Sequence, residues 1–119
     1  MFGALLVLAQ LSSSVAGYDE AKALADKHEA SLPAALSHKL LGSQGQAINR
    51  AFPACTAPEP PLPAFTVVLA LDSSGKVQQT WRKGDSEFAK CVEREFAAIT
   101  FFQPPSAPFF TSLEFSFGP

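Results

Sequence analysis

Beyond Gly17 the apolar positions of this chain recur first at helical spacing, then at strand spacing, then at helical spacing again, and close on a second stretch of strand spacing. In "YDEAKALADKHEASLPAALSHKLLG" the residues Ala21, Leu24, Ala25 and His28 share one helical face. Ser31-Leu32-Pro33 then supplies a break and a proline suited to a new first turn. The spacing predicts two helices, the second carrying Leu36, Leu40 and Leu41 to a stop at Gly42. A third, short helix is expected over Gln46 to Phe52, with Ala47, Ile48, Ala51 and Phe52 on one face and Pro53 ending it. The following "APEPPLPA", Ala57 to Ala64, holds four prolines and reads as an extended polyproline II spacer. The competing reading is a ligand for a proline-reading domain.

Phe65, Val67, Leu69 and Leu71 alternate with Val68 and Ala70, so this strand is apolar on both faces, as a central strand is. Asp72-Ser73-Ser74-Gly75 supplies a turn, and Val77, Gln79 and Trp81 continue in a second strand whose Gln78, Thr80 and Arg82 are expected to face water. Asp85 or Ser86 caps a helix in which Phe88, Cys91, Val92, Glu95, Phe96 and Ile99 recur at three and four residues, with Lys90, Glu93 and Arg94 on its wet face. Helicity breaks after Thr100, at "FFQPPSAP". In "FFTSLEFSF" the positions Phe109, Thr111, Leu113, Phe115 and Phe117 alternate strictly with Phe110, Ser112, Glu114 and Ser116. One helix between the second and third strands reverses the chain once, so the third strand pairs with the first. The expected fold is α+β: N-terminal helices followed by a strand-strand-helix-strand unit with a three-stranded antiparallel sheet of order 2-1-3.

The residues before Tyr18 and the two cysteines bear on compartment. Residues 1–17 hold an apolar run from Phe2 to Leu11 and then Ser14-Val15-Ala16, the pattern of a secretory signal peptide cleaved after Ala16 or Gly17 and too short to span a bilayer. No Lys or Arg precedes the run, which departs from that pattern, and a buried N-terminal helix is the alternative. The rest divides into a helical region, 18–56, the spacer, 57–64, and the strand-helix unit, 65–119, with 18–119 forming one compact domain. In an oxidising compartment Cys55 and Cys91 read as one disulfide, with free buried thiols as the alternative. A metal site lacks a second ligand near either cysteine, and a catalytic thiol does not suit the buried stripe of a helix. His28 and His38 are expected to be surface or half-buried. The net charge of −2, with no basic pair beyond Arg82-Lys83, argues against nucleic acid and anionic membrane as partners. No nucleophile elbow or phosphate-binding glycine loop is present. The reading is therefore of a protein without catalytic residues, cofactor or metal.

From Phe65 to Phe117, "FTVVLALDSSGKVQQTW", "FAKCVEREFAAITFFQPP" and "TSLEFSF" resemble the C-terminal domains of TonB-type energy transducers, and more closely their cysteine-containing relatives in exported and gliding-motility proteins. Asp72, Gly75 and Val77 fill the turn of that pattern, Phe96 and Phe102 its aromatics, Pro104 and Pro105 its break. Cys55 and Cys91 stand where those relatives carry theirs. A true energy transducer carries an N-terminal membrane anchor and a long spacer, whereas the apolar segment here reads as short and cleavable, so energy transduction is not the expected role. The resemblance implies the fold and a manner of binding, in which an extended protein or peptide segment adds to the open edge of the third strand. Phe110, Ser112, Glu114 and Ser116 would flank that segment, and Trp81 is either a further contact or a half-buried cover for the sheet. The expected role is a periplasmic or secreted binding module of the cell envelope. The alternatives are an inhibitor or immunity protein, a structural envelope protein and, last, an enzyme.

Overall fold

The computed structural model describes residues 17–56 and 59–118, so the expected signal segment, Gly17 apart, lies outside the described residues. Two helices come first, α1 (Tyr18–Ala30) and α2 (Ala34–Ala54), followed by β1 (Phe65–Leu71), β2 (Val77–Lys83), α3 (Glu87–Ala97) and β3 (Phe109–Phe115). The break between α1 and α2 falls at Ser31-Leu32-Pro33, as predicted, and the Ser31 hydroxyl closes the last turn of α1 by donating to the His28 carbonyl at 2.7 Å. α2 does not stop at Gly42. It continues as one helix of 21 residues through Gly42, Gly45 and Pro53, where the sequence predicted a stop and a separate short helix. Leu40, Ala47 and Ala51 form a single buried stripe on it. That burial outweighs the roughly 1 kcal/mol that an interior glycine costs a helix. Pro53 lies in the final turn, where little of the helix remains to be disrupted.

The sheet is antiparallel with the order β2-β1-β3, so the twice-apolar strand is central. On one face Phe65, Val67, Leu69 and Leu71 of β1 pack with Leu40, Ala47 and Ala51 of α2 and with Phe88, Val92 and Phe96 of α3. Phe115 of β3 joins this layer, its ring 4.9 Å from that of Phe65 and 5.2 Å from that of Phe52. On the other face Val68, Ala70 and Phe110 pack with Ala21 and Ala25 of α1, and Tyr18, Leu24 and Trp81 close the rim.

The sides of β2 are the reverse of those expected beyond its start. The register slips between Ala70 and Leu71: Ala70 pairs with Gln79 and Leu71 with Val77, which leaves Gln78 as an extra residue. One inserted residue sends every later side chain to the opposite face. Val77 therefore joins the α2/α3 layer, whereas Trp81 crosses to the α1 layer. Thr80 and Arg82, expected in water, face α3 instead. The Thr80 hydroxyl donates to Glu93 at 2.7 Å and Arg82 Nε donates to Glu93 at 3.0 Å, which withdraws Glu93 from the wet face assigned to it.

The turn between β1 and β2 is organised by Asp72, whose carboxylate accepts from the Ser74 amide (2.9 Å), the Lys76 amide (3.0 Å) and the Ser74 hydroxyl (2.7 Å). Gly75 is required there: its φ is 89°, and a Cβ would stand 2.3 Å from the Phe101 carbonyl oxygen. The Ser86 hydroxyl caps α3 by accepting from the Ala89 amide at 3.1 Å. α3 ends at Ala97, earlier than its periodicity suggested, because Thr100 bridges to Lys76 and the Phe101 amide donates to the Gly75 carbonyl at 2.8 Å. Cys55, at the end of α2, is disulfide-bonded to Cys91 of α3, with the two Cα atoms 5.8 Å apart.

Candidate functional site

A binding module built on strand addition needs an edge whose backbone groups are unsatisfied, so the two edges of the sheet are where its chemistry resides. At β3 the outward amides belong to alternate residues. Phe110 N–H donates to His28 Nδ1 at 3.0 Å, and Ser112 N–H donates to the Glu29 carboxylate at 2.9 Å. Both acceptors are on α1. The Thr111 hydroxyl donates to the same Glu29 carboxylate and accepts from Gln44 of α2 at 2.9 Å. Thr111 is fully buried, and this chain of bonds joins α1, α2 and β3 around it. Lys22 of α1 completes the row with a salt bridge to Glu114 at 3.1 Å.

The expectation of an open edge from Phe109 to Phe117 therefore fails over Phe110 to Ser112. The physical reason is that the chain passes from α1 on one face of the sheet to α2 on the other by wrapping this edge. Phe110 is buried beneath α1 and cannot flank an added strand, and Ser112 is half-buried. Glu114 and Ser116 remain exposed. His28 is held by contacts that no local sequence signal announces, since its partner lies on a strand far along the chain. Its ring lies 5.6 Å from that of Phe109 and 5.7 Å from that of Phe110. Burial holds the imidazole below its ordinary pKa of 6.5, and the neighbouring Lys27 acts in the same direction.

β2 presents the opposite case. Since Phe110 and Ser112 point their amides outward, the alternation of the ladder directs the backbone groups of Val68 and Ala70 toward β2, and those of their partners Trp81 and Gln79 back toward β1. The amides and carbonyls of Thr80 and Arg82 then face away from the sheet. No strand pairs with that side, and no hydrogen bond reaches those groups from the described residues. Trp81 is half-buried beside this edge, its ring 5.5 Å from that of Phe110, and Gln79 and Lys83 lie exposed on the same face of the sheet.

A groove of about 820 Å³ opens at the end of the sheet, lined among others by Tyr18, Lys22, Phe65, Lys83, Glu114 and Ser116. Within it Lys22 is salt-bridged to Glu114 at 3.1 Å. Both cysteines are bridged, so neither is a thiol, and Asp85 lies against Arg82 at 3.3 Å. Among the described residues no group of three or more His, Cys, Asp or Glu is arranged to hold a metal ion, and no helix is long and apolar enough to cross a membrane. Comparison with protein-family models, with curated proteins and with solved structures finds no match for this chain.

Proposed function

We propose that this protein is a small exported protein-binding module of the cell envelope that takes an extended segment of its partner onto the outer edge of β2. The observation that carries this reading is the contrast between the two edges: β3 is capped by α1 side chains, while Thr80 and Arg82 of β2 turn unpaired backbone groups outward. The disulfide is consistent with export. The order of elements and the positions of the cysteines are the features behind the resemblance to TonB-type C-terminal domains. The proposal takes from that resemblance only the manner of binding and moves it from the third strand to the second. An incoming antiparallel strand would run beside Trp81 on one face and beside the Thr80–Glu93–Arg82 cluster on the other. Trp81 supplies apolar contact there.

The test is site-specific photo-crosslinking in intact cells. A photoreactive residue at Gln79 or Lys83 should give a discrete adduct, and one at Gln46 on α2 should give none. Thr80→Val removes the bond to Glu93 but keeps the amide, and it should leave the adduct in place. Thr80→Pro removes the outward donor as well and should abolish it. Adducts of equal yield from Gln46, or an adduct that survives Thr80→Pro in folded protein, would place the partner elsewhere.

A further inference from the structure

The side chains of α1 stand where the backbone of a fourth strand would stand. Lys22, Glu29 and His28 meet Glu114, Ser112 and Phe110, so the helix runs antiparallel to β3 and supplies acceptors to its outward amides. We propose that α1 is a releasable cover over the β3 edge, held closed by neutral His28 and loosened by its protonation, so that mild acid exposes a second strand-accepting edge at Phe110, Ser112 and Glu114.

Three observations carry this. The fully buried side chains that α1 brings to the sheet are two alanines, Ala21 and Ala25, with Tyr18 and Leu24 partly buried beside them, so its polar bonds to β3 add materially to the apolar contact with Val68, Ala70 and Phe110. The disulfide joins α2 to α3 and leaves α1 outside the covalent loop. His28 accepts at Nδ1, which requires the neutral tautomer that carries its proton on Nε2. A proton on Nδ1 would set one N–H against another and leave the Phe110 amide without an acceptor. The charged neighbours of His28 are Lys27 and Glu29 on its own helix, and Glu29 is engaged with Thr111 and Ser112. Phe109 and Phe110, the β3 residues in contact with the ring, carry no charge. Lys27 raises the cost of the imidazolium, and the two phenyl rings give it no compensating anion.

This inference stands apart from the β2 reading, and its test needs no partner. Amide hydrogen exchange is followed by NMR on the intact protein from about pH 7.5 to about pH 5, with the His28 ring titrated in the same samples. The protection of Phe110 and Ser112 should fall by up to about tenfold per pH unit as pH drops from the ordinary value of 6.5 toward the lower pKa of His28 in the closed form, and level off below it. Val67 and Leu69, which bond β3 from its inner side, should keep theirs. The emission of Trp81, the sole tryptophan, should shift to the red as α1 leaves Phe110. His28→Asn sets a non-titrating oxygen near the position of Nδ1 and should retain protection in acid. Unchanged protection of Phe110 across the His28 titration would overturn the proposal, as would an equal loss in His28→Asn. If His28→Asn does not fold, the titration of the unaltered protein decides alone.

Discussion

Gly75 shows how one position can be dictated by both backbone and neighbourhood. Its positive φ and the close approach of the Phe101 carbonyl together exclude any Cβ. Gly75→Ala is expected to lower unfolding free energy by roughly 2–4 kcal/mol, read from the urea midpoint. The turn around it was legible, because Asp-Ser-Ser-Gly between two alternating runs has a local mechanism in the Asp72 carboxylate. Gln78 was not. A bulge residue has no composition of its own, and the polar run Gln78-Gln79-Thr80 allows either phase, so strict alternation puts Trp81 and Arg82 on each other's faces. Thr111 is a similar case. It sat correctly on the inward row of β3, yet its bonds to Glu29 and Gln44 join segments that sequence alone does not connect. Thr111→Val should cost roughly 1–3 kcal/mol, because it leaves buried polar partners unsatisfied. Thermal denaturation of the two proteins side by side checks this.

Among the elements, α3 and the disulfide are legible in the sequence, whereas the pattern of α2 predicts two pieces. The stripe of Phe88, Val92 and Phe96 on α3 is buried as its spacing requires. Gly42 and Gly45, which predict a division of α2, are absorbed because tertiary burial of Leu40, Ala47 and Ala51 overrides a local propensity. The bridge between Cys55 and Cys91 closes a loop of 36 residues, which corresponds to about 4 kcal/mol in the chain-entropy model. Replacing both cysteines by alanine should therefore lower stability by about 2–5 kcal/mol, with the far-ultraviolet circular dichroism of the folded protein preserved. Alkylation of the native, non-reduced protein should label neither residue.

For the whole molecule, strand order was legible because chain direction and the two-faced apolarity of β1 point to the same sheet. The placement of α1 was not, since its own sequence carries only a modest apolar face and its partners on β3 are backbone amides, which leave no trace in residue type. This placement makes stability depend on pH. The His28 pKa is lowered on folding, so the unfolded chain binds the proton more readily. The His28 contribution is complete above its ordinary value of 6.5 and is lost as pH falls through the lower, folded-state value. The Asp72 carboxyl, held below its ordinary 3.8 mainly by the Ser74 hydroxyl, loses its contribution only in stronger acid. Urea midpoints should be level near neutrality and decline below about pH 6.5, while those of His28→Asn stay level over the same interval.

Tyr18 and Ser116 line the same groove, so the start of α1 and the end of β3 meet at one pole of the molecule. Between Tyr18 and Ser116 the chain nearly closes on itself, and a short linker could join these two positions while new ends are cut at Ser73-Ser74, where both residues are exposed. Such a circular permutant would retain both helical layers and the sheet. The groove at this pole also reaches Lys83 at the end of β2, so a bulky group attached beside Tyr18 or Ser116 would approach one end of the edge that the proposed partner strand follows.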